Sequence, residues 1–273
     1  MNGRGSIPYW HIDAFALAPF GGNQAAVVIL DAWPSDDMMR SIAAENMFAE
    51  TAFLVETPEG QADYALRWFT PTAEVALCGH ATLASGHAIL SSDDRRDSVT
   101  FSTRQADILE VVRAAESYEL ALPAIPTRQE PYVVAAALLG AEPLEVWRNP
   151  DGYNIFLYPD AEAIRALQPD LRGLAKLGEE QFICTAPGPA GSIDVDVVSR
   201  VFVPGAGVDE DSFTGSAHAV LTPFWTARLG REEFTAFQAS ERGGHATCQL
   251  EDDLAILGGD CFTMVEGRFY PEG

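Results

Sequence analysis

The sequence predicts an α+β protein made of two similar units, each a curled sheet wrapped round a central helix. Three observations predict it. First, residues 69–86 and 202–220 repeat one device: an apolar strand, a Pro turn, an acidic loop, and a glycine that opens a helix of small residues. One copy runs through Phe69-Thr70-Pro71, Glu74 and Gly79-His80-Ala81; the other runs through Phe202-Val203-Pro204, Asp209-Glu210-Asp211 and Gly215-Ser216-Ala217. Second, flanking matches keep the same order. Pro34-x-x-Asp37-x-Met39-Arg40 matches Pro159-x-x-Glu162-x-Ile164-Arg165, Glu50-x-x-Phe53 matches Glu179-x-x-Phe182, and Phe101 falls at the place of Phe237. Third, 273 residues with 47 % hydrophobic content can bury two cores of ordinary domain size. The expected halves are residues 1–122, with a C-terminal strand at about 262–273 returning to them, and residues 123–261. The prolines at 123, 126 and 131 mark the link.

The elements follow in order. His11 to Phe15 and Ala25 to Leu30 read as strands around a Gly21-Gly22-Asn23 turn. Ser35 to Asn46 reads as a helix, with Ser35 as N-cap and Asp36 and Asp37 in its first turn. Ala49 to Val55 and Tyr64 to Phe69 are strands. From Gly79 to Leu90 there is almost no charged face, which predicts a buried helix, and Ala217 to Leu229 repeats that character. After the first of these helices come strand-like segments at 99–101, 108–114 and 118–122; after the second they lie at 233–239, 246–250 and 253–257. Two such units can face each other across a cleft, offering two helix N-termini to one small anion.

Forty acidic against 17 basic residues give a formal charge of −23, with Lys176 the sole lysine. This argues against nucleic acid or an anionic membrane as a partner, since both need clustered basic residues. The chain start has no signal-peptide pattern, and no apolar run is long enough to span a bilayer. Cys78, Cys184, Cys248 and Cys261 are too widely spaced for a zinc motif or a disulfide framework. A reduced cytoplasm is the expected compartment. There is no glycine-rich nucleotide loop.

Among chemistry-bearing residues, Glu50 stands out. A glutamate entering the apolar run Thr51-Ala52-Phe53-Leu54-Val55 belongs at a strand mouth or a cleft, unless it is simply a solvated strand end. Partial burial there would suit a general acid/base working near neutrality. His80, following the glycine that starts the buried helix, could face an anion or serve as a satisfied core histidine. Ser216 could bind a ligand or cap the second helix. Asp211 sits in what would ordinarily be a solvated acidic loop. Cys78, beside a helix N-terminus, could be a nucleophile or plain filler. His87 and His218 read as structural.

Taken together, these residues resemble the phenazine-biosynthesis PhzF-like family, relatives of diaminopimelate epimerase. The resemblance spans nearly the whole chain. It rests on Asp13-Ala14-Phe15, Phe20-Gly21-Gly22-Asn23-Gln24, Asn46-x-x-x-Glu50-Thr51-x-Phe53, Phe69-Thr70-Pro71-x-x-Glu74-x-x-Leu77-Cys78-Gly79-His80, Glu210-Asp211-x-x-Thr214-Gly215-Ser216 and Glu241-Arg242-Gly243-Gly244. It implies a diaminopimelate-epimerase-like fold with the site between two pseudo-symmetric halves. It further implies an isomerase in which Glu50 shuttles a proton, assisted by His80 and Asp211. Gly79, Gly215 and Ser216 would bind a small carboxylate substrate. Neither metal nor organic cofactor is implied, and a homodimer is. The chain departs from the family pattern at Ala49, Gln24 and Ser212, where Ser, Pro and Pro are frequent, so the substrate does not carry over. Two other readings stand beside it: a thiol-based epimerase or racemase using Cys78, and a non-catalytic small-acid-binding module.

Overall fold

In the computed structural model, which describes residues 5–58, 60–105, 108–115 and 117–271, the chain forms an α+β protein. It divides into two compact units, Met1–Ala121 with Gly258–Gly273, and Leu122–Leu257. Residues 1–4, part of the chain start considered above, lie outside the described residues. No helix among the described residues is long and apolar enough to cross a membrane.

In the first unit, strand Cys261–Phe269 pairs antiparallel with Ile7–Ala14, which pairs antiparallel with Asn23–Leu30. Asn23–Leu30 runs parallel to Glu50–Glu56, the crossover being the helix Asp36–Asn46. Ser35 caps that helix by accepting from Met38 N–H, as its hydroxyl and the acidic first turn predict. Glu50–Glu56 pairs antiparallel with Tyr64–Phe69, which runs parallel to Ser98–Ser102 through a second crossover, the helix Gly79–Leu90. Phe15, read as part of the first strand, instead lies beyond it at φ 55°, left-handed for a non-glycine residue.

The helix Gly79–Leu90 is buried at every position but His87. Small residues make this possible: a Cβ on Gly86 would stand 2.3 Å from Cγ1 of Val111. Its buried hydroxyls turn back onto the helix, Thr82 donating to the Cys78 carbonyl (2.6 Å) and Ser85 to that of Ala81 (2.7 Å).

The second unit repeats this order. Glu145–Arg148 pairs antiparallel with Tyr153–Leu157, which runs parallel to Gln181–Pro187 across the short helices Ala161–Ala166 and Leu171–Ala175. Gln181–Pro187 pairs antiparallel with Val197–Phe202, and this strand runs parallel to Glu233–Gln238 across the buried helix Gly215–Leu229. Pro223 within that helix has no N–H for the Ala219 carbonyl one turn back; Ile125 N–H, from the proline-rich segment, supplies the bond at 3.1 Å.

The ladders fix how the two copies correspond. Arg67 lies opposite Phe53 and Arg200 opposite Cys184. Both arginines hold the glutamate of the following acidic loop in a two-pronged ion pair: Arg67 to Glu74 at 2.7 and 2.7 Å, Arg200 to Glu210 at 2.7 and 2.8 Å. Each guanidinium also lies over a phenylalanine two residues on, Phe69 or Phe202, at 4.9 Å. With the arginines superposed, Glu50 corresponds to Gln181. The expected match of Glu50 to Glu179 is therefore two residues out of register, and Glu179 is exposed. Likewise Phe101 corresponds to Ala236, not Phe237, because Tyr64 pairs with Phe101 as Val197 pairs with Ala236. Loop insertions between matched segments caused both slips. A further duplicated contact was not foreseen. Asp63 accepts from the Thr100 amide and hydroxyl (2.8 and 2.8 Å), and Asp196 from those of Thr235 (2.8 and 3.0 Å).

His218, in the second buried helix, stacks on Phe213 with ring centroids 4.3 Å apart and donates from Nδ1 to the Thr214 carbonyl at 2.9 Å. Burial lowers its pKa to about 4, the Thr214 bond opposing and His245 reinforcing the shift. The folded pKa lies below the ordinary 6.5, so the stability gained by keeping His218 neutral is complete above pH 6.5 and drains away as pH falls towards 4. Denaturant unfolding across this window is expected to show a loss of up to about 3 kcal/mol from this residue, and His218→Gln should flatten the profile correspondingly. Glu210→Gln, which removes the charge but not the shape of the Arg200 partner, is expected to lower unfolding stability by about 1–3 kcal/mol, read as a shift of the denaturant midpoint.

Candidate active site

Glu50 opens its strand, its Cα opposite Ala25, and the next four residues are buried. The backbone thus places the carboxylate at the strand mouth, where its side chain keeps 17 % exposure. In front of it lies the start of the buried helix. Cys78 holds the N-cap position, Gly79 is the first helical residue and His80 the second.

His80 Nε2 stands 3.3 Å from Glu50 Oε2, and Nδ1 stands 3.2 Å from the side-chain amide nitrogen of Asn23. Burial lowers the His80 pKa to about 4, against an opposing hydrogen bond with the Gln24 backbone, so the ring is neutral near pH 7. The neutral ring carries a single N–H, and its two nitrogens face Glu50 Oε2 and the Asn23 amide. Cys78 Sγ lies 3.6 Å from Nδ1 and 4.0 Å from Nε2 of the same ring. Donor atoms of Glu50, Cys78 and His80 all fall within 4.8 Å of one another, the one such trio capable of holding a metal ion among the described residues.

In the second unit Thr214 holds the N-cap position before Gly215. Its hydroxyl turns away from the helix and donates to Asp211 Oδ2 at 2.6 Å. Buried Gln238 ties the same turn together, accepting from Thr214 N–H (3.0 Å) and donating to the Asp211 carbonyl (2.8 Å). Ser216 is not the cap. It is the second helical residue, and its hydroxyl accepts from Gln181 Nε2 at 2.9 Å. Nor is the acidic loop simply solvated, since Arg200 holds Glu210.

The two sites are thus related copies with different chemistry. Strand register matches Glu50 to Gln181, and position at the helix start matches Cys78 to Thr214, Gly79 to Gly215 and His80 to Ser216. A carboxylate facing an imidazole in one unit becomes an amide facing a hydroxyl in the other, and neither of those titrates near neutral pH. Both helix starts also lack side-chain capping, whereas Ser35, Asp160 and Asp170 each cap a crossover helix. Sequence reasoning had missed the roles of Asn23, Gln181 and Gln238. The available signal was a polar side chain at the end of an otherwise apolar strand, with Asn23 and Gln238 almost wholly buried.

A model of the family described as phenazine biosynthesis-like protein matches residues 12–258. An uncharacterized isomerase of Pseudomonas aeruginosa is 41 % identical over 264 residues, covering 96 % of this chain and 98 % of that one. The crystal structure of a PhzF-family phenazine biosynthesis protein from Enterococcus faecalis superposes with a TM-score of 0.88 at 38 % identity, covering 97 % of this chain and 100 % of the other. A more distant likeness extends the fold alone: a hydroxyproline epimerase from Agrobacterium vitis, solved with bound trans-4-hydroxy-L-proline, gives a TM-score of 0.62 at 13 % identity over 98 % of this chain and 93 % of that one. With its diaminopimelate-epimerase-like architecture and its isomerase relatives, the chain belongs to the phenazine biosynthesis-like PhzF family and is an isomerase of that family.

Proposed function

We propose that this isomerase moves a proton between carbons of a small carboxylate substrate without a cofactor, Glu50 acting alternately as general base and general acid. The observation that carries this reading is the Glu50 carboxylate at the strand mouth, 3.3 Å from a neutral His80 ring. Glu50 takes a proton from a carbon beside a carboxylated or unsaturated centre. The electron pair left behind delocalises into that centre as an enolate-like charge, and protonated Glu50 returns the proton to a different carbon. Atoms and charge balance within the bound molecule.

His80 holds and orients the carboxylate, and the amides of the first helical turn, Gly79 foremost, face the developing charge. In the second unit the reading assigns Gly215 and Ser216 to substrate binding and Asp211 to assisting the transfer. The charge of −23 argues for a small anion received by local dipoles over any nucleic acid or membrane partner. The bound hydroxyproline of the distant epimerase supports a small carboxylate as the ligand class. We place the protein in the cytoplasm as a homodimer. The thiol-based alternative is weaker, because the position equivalent to Cys78 in the second unit is Thr214 and no second cysteine.

In D2O, wild type incubated with a panel of small unsaturated acids and amino acids is expected to isomerise one class and incorporate deuterium, as followed by NMR. Glu50→Gln should lower turnover at least about a hundredfold while still binding the ligand; retained turnover would sink the assignment. Loss of turnover in Cys78→Ala as deep as in Glu50→Gln would favour the thiol mechanism, and tight binding without any exchange would favour a non-catalytic module. Ser216→Ala is expected to raise KM about tenfold with kcat little changed, as for one lost hydrogen bond to a charged group, whereas Asp211→Asn should act mainly on kcat. The reverse pattern in steady-state kinetics would exchange their roles.

A further inference from the structure

Glu50, Cys78 and His80 present one oxygen, one sulfur and one nitrogen donor from two adjoining backbone segments, and these are the three ligand types that zinc takes. Tetrahedral zinc, with bonds of about 2.0–2.3 Å, sets its ligand atoms roughly 3.3–3.6 Å apart. Here His80 Nε2 and Glu50 Oε2 are already 3.3 Å apart, Cys78 Sγ is 4.0 Å from that nitrogen, and all three donors fall within 4.8 Å. Cys78 Sγ must close on His80 Nε2 by about 0.4 Å to reach the upper end of that spacing.

Two further features suit a cation of this kind. Asn23 faces the other ring nitrogen, 3.2 Å away, and with its side-chain carbonyl turned to the ring can hold the Nδ1–H tautomer, the supporting partner that metal-bound histidines use. The strongly acidic chain raises the local concentration of divalent cations. A trio that leaves a fourth position open to solvent beside the partly exposed Glu50 binds zinc less tightly than a closed structural site.

We propose that this trio is a zinc-class metal site, and that the metal acts as a reversible inhibitor, not as a cofactor. On binding, the Cys78 thiol loses its proton to solvent and the thiolate, the Glu50 carboxylate and the His80 ring all coordinate the ion. No redox change is involved. The inhibitory consequence rests on Glu50 being the acid/base of the proposed reaction; the binding itself does not.

The test uses Co2+ as a spectroscopic stand-in for zinc on the full-length chain. Wild type is expected to bind Co2+ with a thiolate-to-cobalt charge-transfer band in the near ultraviolet, displaced by one equivalent of zinc, which binds more tightly. Cys78→Ser should abolish the band, and His80→Asn should weaken zinc binding at least about tenfold, with circular dichroism reporting that both variants remain folded. Cys261→Ser should leave the band unchanged. A wild type that shows no band, or a band that survives Cys78→Ser in a folded protein, would overturn the site. A band with no zinc inhibition of an activity that Glu50→Gln also leaves intact would uphold the metal site and reject the Glu50 mechanism instead.

Discussion

Everything at the two helix starts depends on one duplicated ion pair, an arginine in a strand gripping a glutamate in the loop that follows. Arg67 is buried to 4 % exposure in its side chain, over Phe69 and close to Trp33, a costly place for a guanidinium without a partner. Glu74 supplies two bonds and Asp36 a third, and the Arg67 bonds hold the Glu74 carboxyl below its usual pKa. Arg200 uses Glu210 in the same way and adds the carbonyls at Ile164 and Leu167. Because each loop is pinned near its middle, the five-residue step to Gly79 or Gly215 begins from a fixed point. The small-residue helices then enter the interior with their first amides in a defined place.

On this shared frame the two helix starts carry different functional groups. One retains a carboxylate, a thiol and an imidazole; the other carries an amide, a hydroxyl and a second hydroxyl at the same positions. The parts that hold the frame stayed alike: Arg67 and Arg200, Asp63 and Asp196, Thr100 and Thr235. Duplicated architecture with unduplicated titratable groups fits an enzyme that needs one proton shuttle.

The fold was legible in the sequence wherever burial left a compositional mark. The uncharged run from Gly79 to Leu90 could only be an interior helix, and Ser35 followed by two aspartates announced its crossover helix. Glu50 was legible because an ionisable residue at the head of an apolar strand is unusual. What escaped was information carried by pairing between distant segments. The true counterpart of Glu50 is Gln181, which strand register reveals and a pattern of Glu-x-x-Phe conceals. Ser216 looked like a cap because capping is the commonest work of a serine there, yet its hydroxyl is taken by Gln181 from another strand. The arginine clamps likewise join residues seven and ten positions apart across a turn, a spacing with no helical or strand period to betray it.

The pairing of Cys261–Phe269 with Ile7–Ala14 has a consequence for synthesis of the chain. The second unit is continuous in sequence and can assemble while later residues are still being added. The first unit carries the carboxylate and imidazole, yet its opening strand must wait for a partner made some two hundred and fifty residues later. Pairings so remote in sequence form slowly. On the ribosome, then, the half that is translated first is the half completed last, and the emerging chain lacks one strand of the sheet that holds Glu50 until Cys261–Phe269 has been made.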